Sequence, residues 1–314
     1  MDRVSTSTAY QSILTNLMAN ESTELTDQQQ VSSGMIADNL SGFGNQSQAL
    51  VATQSVKARV DGLVSQLQQT GVQLTFQQTA LTQISSVAQS LQTALSGAEG
   101  EGVGDNLMNQ VQSLFSQAAS ALNTQYNGSY VFAGGQTATQ PFSSTSLADL
   151  TTQGSVSSFF QNGSLAPVTR IDDNTTVQTG FLASNVGSTL MGVFQSIQAF
   201  QQSGSGNFGG ALTSAQQTFL DGAISQLNAV VASTNQTAAQ GGDIQNQVSA
   251  ALTTQTDRQT TLTGVLGTMT NADAAAAATN LTQAQTAFQA SAQVFNVLKG
   301  MSLLNYLSSS TTVA

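Results

Sequence analysis

Two interleaved seven-residue rows constrain this chain more than any other feature. Val60, Leu67, Leu74, Leu81, Ala88 and Leu95 form one row, and Leu63, Thr70, Gln77, Ile84 and Leu91 form its companion. An a/d seam sustained over about five heptads commits this stretch to a long helix with a helical partner. The residues between the rows are Gln, Ser and Thr rather than Glu and Lys. The pattern predicts a helix from near Gln48 to Ser96-Gly97, where glycine adopts the left-handed cap. Gly97 to Gly104 reads as a turn, and Asp105 as the N-cap of a second helix. That helix carries Leu107, Val111, Leu114, Phe115, Ala118 and Leu122 on its apolar face and closes at Tyr126-Asn127-Gly128.

The second half repeats the logic. Val186, Leu190, Phe194, Ile197 and Phe200 recur at helical spacing, and a Gly-rich loop spans Ser203 to Gly210. A second paired series follows. Leu220, Leu227, Thr234, Gly241, Val248, Gln255 and Leu262 make one row; Ala223, Val230, Thr237, Ile244, Ala251, Arg258 and Val265 make the other. Gly241-Gly242 predicts a kink or break there. Thr270 to Asp273 has capping-box spacing before a run of alanines. In the last helix Leu281, Phe288 and Phe295 sit seven apart, as do Ala284, Ser291 and Leu298. The first segment carries a sparser stripe of Ile13, Leu14, Leu17, Met18, Leu25 and Val31.

Residues 129–185 differ in character. Tyr130-Val131-Phe132 reads as a strand, and Phe142, Val156, Phe159-Phe160, Val168, Ile171 and Val177 to Phe181 as short β-prone pieces between turn residues. Both prolines, Pro141 and Pro167, fall here. The expected fold is therefore mainly α with a β-rich insert: a long antiparallel coiled-coil rod made by the two halves, with a small β domain in the middle. The expected domains are 1–44 with 270–314, a terminal coiled coil; 45–128 with 186–269, a helical rod; and 129–185, a β-rich outer domain. Each end carries an amphipathic helix with no intramolecular load beyond the other end. This predicts an assembly interface made of Ile13, Leu14, Leu17, Met18, Leu25, Leu281, Phe288, Phe295, Leu298, Leu304 and Leu307.

Composition excludes several functions. Charged residues are 7% of the chain and the net charge is −10, with six basic residues. Phosphate binding needs clustered Lys and Arg, so neither nucleic acid nor an anionic membrane surface is an expected partner. No apolar run approaches a membrane span, and the opening residues lack the pattern of a cleaved signal. There is no Cys and no His, so thiolate metal sites and histidine proton transfer are absent. Gly204, Gly206 and Gly209 match G-x-G-x-x-G, but a helix-like stretch precedes them where a dinucleotide site needs a strand. Asp172-Asp173-Asn174 reads as a turn, and Glu99, Glu101 and Asp105 lack the spacing of a calcium loop. No catalytic, cofactor or metal site is expected, and the chain reads as structural rather than enzymatic.

Four sequence pieces carry a family likeness. Arg3-Val4-Ser5-Thr6 opens the chain, and Val31-Ser32-Ser33-Gly34 ends its first helical segment. Gly128-Ser129-Tyr130-Val131-Phe132-Ala133-Gly134 precedes Pro141-Phe142, and Met301-Ser302-Leu303-Leu304-Asn305-Tyr306-Leu307 closes the last helix. Together they resemble the bacterial flagellin superfamily and, within it, the hook-associated branch. The segment after Gly34, Met35-Ile36-Ala37-Asp38, lacks the basic residues usual in flagellin-type chains. The resemblance implies an extracellular flagellar subunit exported without a cleaved signal. It implies as partners copies of itself, a hook-associated protein on the hook side, flagellin on the filament side and an export chaperone. It also implies that both terminal helices order only on assembly. A filament-forming flagellin shares the fold. A secreted tip protein of an injection system would share helical ends but lack the Tyr130-to-Phe142 motif. An enzymatic or glycan-binding role would reside in residues 129–185.

Overall fold

The computed structural model describes residues 2–310, with residues 2–7, 9–10 and 298–310 described by their backbone alone. Six helices dominate: α1 (Asp2–Ser33), α2 (Ser47–Glu101), α3 (Leu107–Leu122), α4 (Ala183–Gln202), α5 (Ser214–Thr270) and α6 (Ala274–Ser310). Two antiparallel hairpins lie between α3 and α4: β1 (Gln125–Tyr126) with β2 (Ser129–Tyr130), and β3 (Val168–Asp172) with β4 (Thr175–Gln178). The chain is mainly α with a small strand-bearing insert, and its N- and C-terminal helices pack on one another. It divides into two compact units. One comprises residues 59–258; the other joins residues 1–58 to 259–314.

In the 59–258 unit the heptad rows form the core. Val60, Leu67, Leu74, Leu81, Ala88 and Leu95 are all buried, as are Leu63, Thr70, Gln77, Ile84 and Leu91. The facing row of α5 is buried from Leu220 through Leu227, Thr234 and Val248 to Gln255. Polar rungs fix the antiparallel register: Ser85 Oγ donates to Asn235 Oδ1 at 2.8 Å, and Gln92 Nε2 to Asn228 Oδ1 at 2.9 Å. α3 and α4 add Phe115 and Phe194, packed edge to face at 5.7 Å between centroids.

Several local expectations are corrected. α2 does not stop at Gly97 but runs to Glu101, and Gly102 at φ 69° takes the left-handed position. α3 is preceded by Asn106 without a side-chain cap, while the Asp105 carboxylate accepts the Gly210 N–H from the loop before α5. Gly241-Gly242 breaks nothing, since α5 is continuous; Gly241 instead lets Gln78 approach, its Oε1 lying 2.7 Å from where a Cβ would stand. The cap of α6 is Asp273 alone, its Oδ1 accepting from the N–H groups of Ala275 and Ala276 at 2.9 and 3.1 Å. Thr270 stays inside α5 and donates to the Leu266 carbonyl.

The insert holds less strand than its sequence suggests. Of the Tyr130-to-Phe132 piece only Tyr130 lies in a strand, and residues 156–159 form a short 3-10 helix. Val131, Phe132, Phe142, Leu147, Leu150, Val156 and Phe159 are buried in the same core as α2, α3, α4 and α5. Burial against helices, rather than pairing into a sheet, satisfies these β-branched and aromatic residues.

Candidate assembly surface

α1 and α6 pack antiparallel. At the base Ile36 N–H donates to the Thr270 carbonyl at 2.8 Å, and Ala272 N–H to the Gly34 carbonyl at 2.9 Å. Gly34, at φ 69°, ends α1 as the Ser-Ser-Gly motif predicts. Farther along, Asn20 Nδ2 donates to Ser291 Oγ at 2.8 Å. The seam of α6 follows alternating spacings of four and three: Ala277 and Ala284 are buried, and Leu281, Phe288, Ser291 and Phe295 half-buried.

The seam of α1 has another composition. Ile13, Leu17, Asn20 and Glu24 are half-buried and Asp27 is buried. Leu14, Met18 and Leu25 stand on a different face, about 120° around the helix at 100° per residue. Met18 is 61% and Leu25 58% exposed. The stripe expected as one face of α1 is thus two: Ile13 and Leu17 turn toward α6, and Leu14, Met18 and Leu25 toward solvent. On α6, Val294 and Val297 are exposed, the latter to 62%. Leu298, Leu304 and Leu307 lie in α6, and Arg3 in α1, but their side chains fall outside the described residues.

The signature residues of the insert have structural tasks. Asn127 (φ 49°) and Gly128 (φ 75°) form the two-residue turn between β1 and β2, which needs positive φ at both positions. Tyr130 follows, half-buried at the end of β2. The Phe132 carbonyl accepts the Ala183 N–H at 3.0 Å, tying the motif to the start of α4. Ala133 is buried, and a side chain at Gly134 (φ 64°) would sit 2.7 Å from the Leu165 carbonyl. Pro141 is buried too, and Phe142 is fully enclosed, its N–H and carbonyl both bonded to the Asn123 amide at 2.9 Å. Ser32 and Ser33 are exposed and donate to the Gln29 carbonyl.

Two features escape the heptad reading. Asp172 and Asp173, at the tip of the β3–β4 hairpin, are ion-paired: Arg59 Nε lies 3.3 Å from Asp173, and Arg258 3.9 Å from each acid. The buried Gln77 donates to the Val131 carbonyl at 2.7 Å, pinning the insert to α2. Gln77 and Arg258 both occupy heptad rows, so a polar residue in a seam position was the available signal. Among the described residues no group of three or more acidic, His or Cys side chains is placed to hold a metal ion, and no helix is long and apolar enough to cross a membrane.

The architecture defines a class: a subunit whose C-terminal helix returns along its N-terminal one, with an inserted segment between two helical halves. The chain belongs to the bacterial flagellin family. The model of the flagellin N-terminal helical region matches residues 4–137, and that of the C-terminal helical region residues 215–307, together well over half of the chain. Among solved structures, a Vibrio parahaemolyticus chain described as a flagellar hook-associated protein is similar in fold. It has a TM-score of 0.59 and 16% identity, over 73% of this chain and 99% of that one. Bacillus cereus FlgL aligns with a TM-score of 0.41 and 15% identity, over 63% of this chain and 98% of its own. No curated protein matches the sequence. The protein is a structural component of the bacterial flagellum and, as such, extracellular.

Proposed function

We propose that this chain is the subunit that joins the hook region to the filament, assembling through α1 and α6 without enzymatic activity. The observation that carries the reading is the outward apolar face of α1. Leu14, Met18 and Leu25 stay in water while the helix's inner row holds Asn20, Glu24 and Asp27. Apolar surface spent this way in a monomer is stabilising only when neighbours cover it. The Tyr130-to-Phe142 motif and the Met301-to-Leu307 ending support the hook-associated branch over a filament-forming member. The fold shared with the Vibrio chain is consistent with that branch. On this reading, hook-side and filament-side neighbours meet opposite faces of a ring of copies. The chain reaches its place through the flagellum-specific export channel, escorted by a chaperone.

Immunogold labelling of flagella tests the position. A band at the distal end of the hook is expected, and label along the filament would instead assign the chain to the filament. Deleting residues 1–30 or 281–314 tests the mechanism: the 59–258 unit should stay folded by circular dichroism while incorporation into flagella is lost. Normal incorporation of either truncation would refute assembly through these helices.

A further inference from the structure

Four pairs in the chain set an Asn or Asp directly before glycine: Asp61-Gly62, Asn127-Gly128, Asn162-Gly163 and Asp221-Gly222. Each is a latent reaction site. A glycine has no Cβ to obstruct its backbone nitrogen. That nitrogen can close a five-membered ring on the preceding side-chain carbonyl carbon, expelling ammonia from asparagine or water from aspartic acid. The fold decides which pair is free to react.

The two aspartates are inside helices. Asp61-Gly62 lies in α2 and Asp221-Gly222 in α5, where each glycine N–H belongs to the helical hydrogen-bond ladder. Asn162 is pinned at both ends of its amide. Its Nδ2 donates to the Gly163 carbonyl at 2.9 Å and to Ser184 Oγ at 3.1 Å, and its Oδ1 accepts the Ser184 N–H at 3.0 Å. The nitrogen that would attack is engaged as well, because Gly163 N–H donates to the Ala133 carbonyl at 2.9 Å. Asn127-Gly128 is different. Both residues are exposed, and among the described residues no backbone carbonyl accepts the Gly128 N–H. Ring closure needs the Asn127 backbone to rotate out of its turn. Only a ladder of two residue pairs, Gln125 with Tyr130 and Tyr126 with Ser129, resists that rotation.

We propose that Asn127 is a site of spontaneous deamidation, the one of these four pairs that the fold leaves reactive. The Gly128 nitrogen, once deprotonated, attacks Asn127 Cγ. The Cγ–Nδ2 bond breaks and ammonia leaves with the proton. Water then opens the succinimide at either carbonyl. One opening gives aspartate and adds a negative charge to the net −10. The other gives isoaspartate, in which the main chain runs through the side chain and gains a methylene. That longer chain must fit a turn of two residues, just before Tyr130 and Val131. The N–H groups of Tyr130 and Val131 donate to the Thr137 and Thr124 carbonyls at 2.9 and 3.0 Å. The modification therefore strikes the entrance of the Tyr130-to-Phe142 motif, and an extracellular subunit accumulates it with age.

Peptide mapping of the full chain after incubation in isotope-labelled water at mildly alkaline pH, folded and in urea, tests this. In the folded chain the residue-127 peptide should gain one labelled oxygen and separate into aspartate and isoaspartate forms. Its conversion should be at least about tenfold faster than at Asn162, the ratio that the bonds holding the Asn162 amide impose on the barrier. In urea that advantage should vanish, because only the shared Asn-Gly sequence remains. Asn127→Asp should keep hydrogen-exchange protection at the Tyr130 and Val131 amides, and the isoaspartate form should lose it. Three results would overturn the proposal. Residue 127 could stay intact in the folded chain over an interval that converts it in urea, Asn162 could keep pace with it, or the isoaspartate form could retain full protection.

Discussion

The 59–258 unit and the α1–α6 pair treat apolar side chains in opposite ways. In the former, Leu81, Ile84, Leu91, Phe115 and Phe194 are fully enclosed, and aromatic rings interlock across four helices and the insert. In the latter, Asn20, Glu24 and Asp27 take inner positions while Leu14, Met18 and Leu25 face water. One region encloses its hydrophobic surface; the other half-buries Ile13, Leu17, Leu281, Phe288 and Phe295 in its seam and leaves a second apolar row in water. The contrast shows that a heptad pattern reports a helix seam without saying whose seam it is.

Truncating the enclosed core is the strongest test of this contrast. Phe115→Ala removes the ring that meets Phe142 and Phe194, and it should cost about 3–5 kcal/mol, read as a lowered urea midpoint. Leu25→Ala, on the outward face, should leave the midpoint within about 0.5 kcal/mol. Comparable losses from both would erase the distinction between the regions.

Glycine substitutions come next. A Cβ on Gly187 would lie 2.6 Å from Leu122 Cδ1 and 2.8 Å from Cδ2, inside the enclosed core. Gly187→Ala should therefore destabilise by about 1–3 kcal/mol through overpacking of α4 on α3. Gly242 has nothing within 4 Å of its hypothetical Cβ, in the middle of α5. There Gly242→Ala should stabilise by up to about 1 kcal/mol, because only helix propensity changes. Paired thermal melts should move the two variants in opposite directions, separating a glycine required by packing from one that the helix merely tolerates.

Smaller still is the hairpin clamp. Arg258→Gln removes a pair of contacts at 3.9 Å between partly exposed groups, worth about 0–1 kcal/mol. The loss should shrink further in high salt. What holds the hairpin more firmly is Ile171 against Leu67, Leu74 and Val248, with Thr169 Oγ1 2.8 Å from Thr179 Oγ1. Ile171→Ala should thus exceed Arg258→Gln in its effect on the unfolding midpoint.

Much of this was legible in the sequence, and the failures have physical causes. The rows of α2 and α5 gave both helices, the buried face of α2 and one buried row of α5, because period 3.5 over many turns has few other realisations; the companion row of α5 is buried only at Ala223 and Val230 and is exposed at Arg258 and Val265. The seam of α6 was also legible, as Leu281, Phe288 and Phe295 with Ala284 and Ser291. On α1 the same reading merged two faces, because Ile13-Leu14 and Leu17-Met18 are adjacent pairs and a sparse stripe does not separate faces about 120° apart. In the insert, β-prone residues were taken for strands. What decided their conformation was the wall of helices behind Val131, Phe132 and Phe142, which a local pattern does not contain. Asp27 was invisible to a search for apolar positions, although it stands three residues past Glu24 and seven past Asn20 in the same row.

The smallest expected effect separates two carboxyl groups of the 59–258 unit by sign. Loss of hydration, then the charge of Asp221 and a hydrogen bond with it, hold Glu99 above its ordinary value. Hydrogen bonds from Ser146, reinforced by Thr145, hold Asp149 below its own, in the capping box of the 3-10 helix at Leu147–Thr151. A raised acid binds its proton more tightly when folded, so its contribution is complete below the unfolded value and fades as pH rises through the folded one. The lowered acid does the reverse: its contribution is present above the unfolded value and fades as pH falls through the folded one. Both groups are solvent-accessible, which keeps each contribution modest. Urea midpoints measured from about pH 3 to pH 7 should therefore gain relative stability at the upper end in Glu99→Gln and lose it there in Asp149→Asn. If both substitutions tilt the profile the same way, the Glu99–Asp221 hydrogen bond is not formed in solution. The segments flanking the α2 and α5 ends would then be joined by the backbone bonds from Leu212 N–H to the Gly102 carbonyl and from Gly104 N–H to the Gly210 carbonyl, and by the Asp105–Gly210 bond.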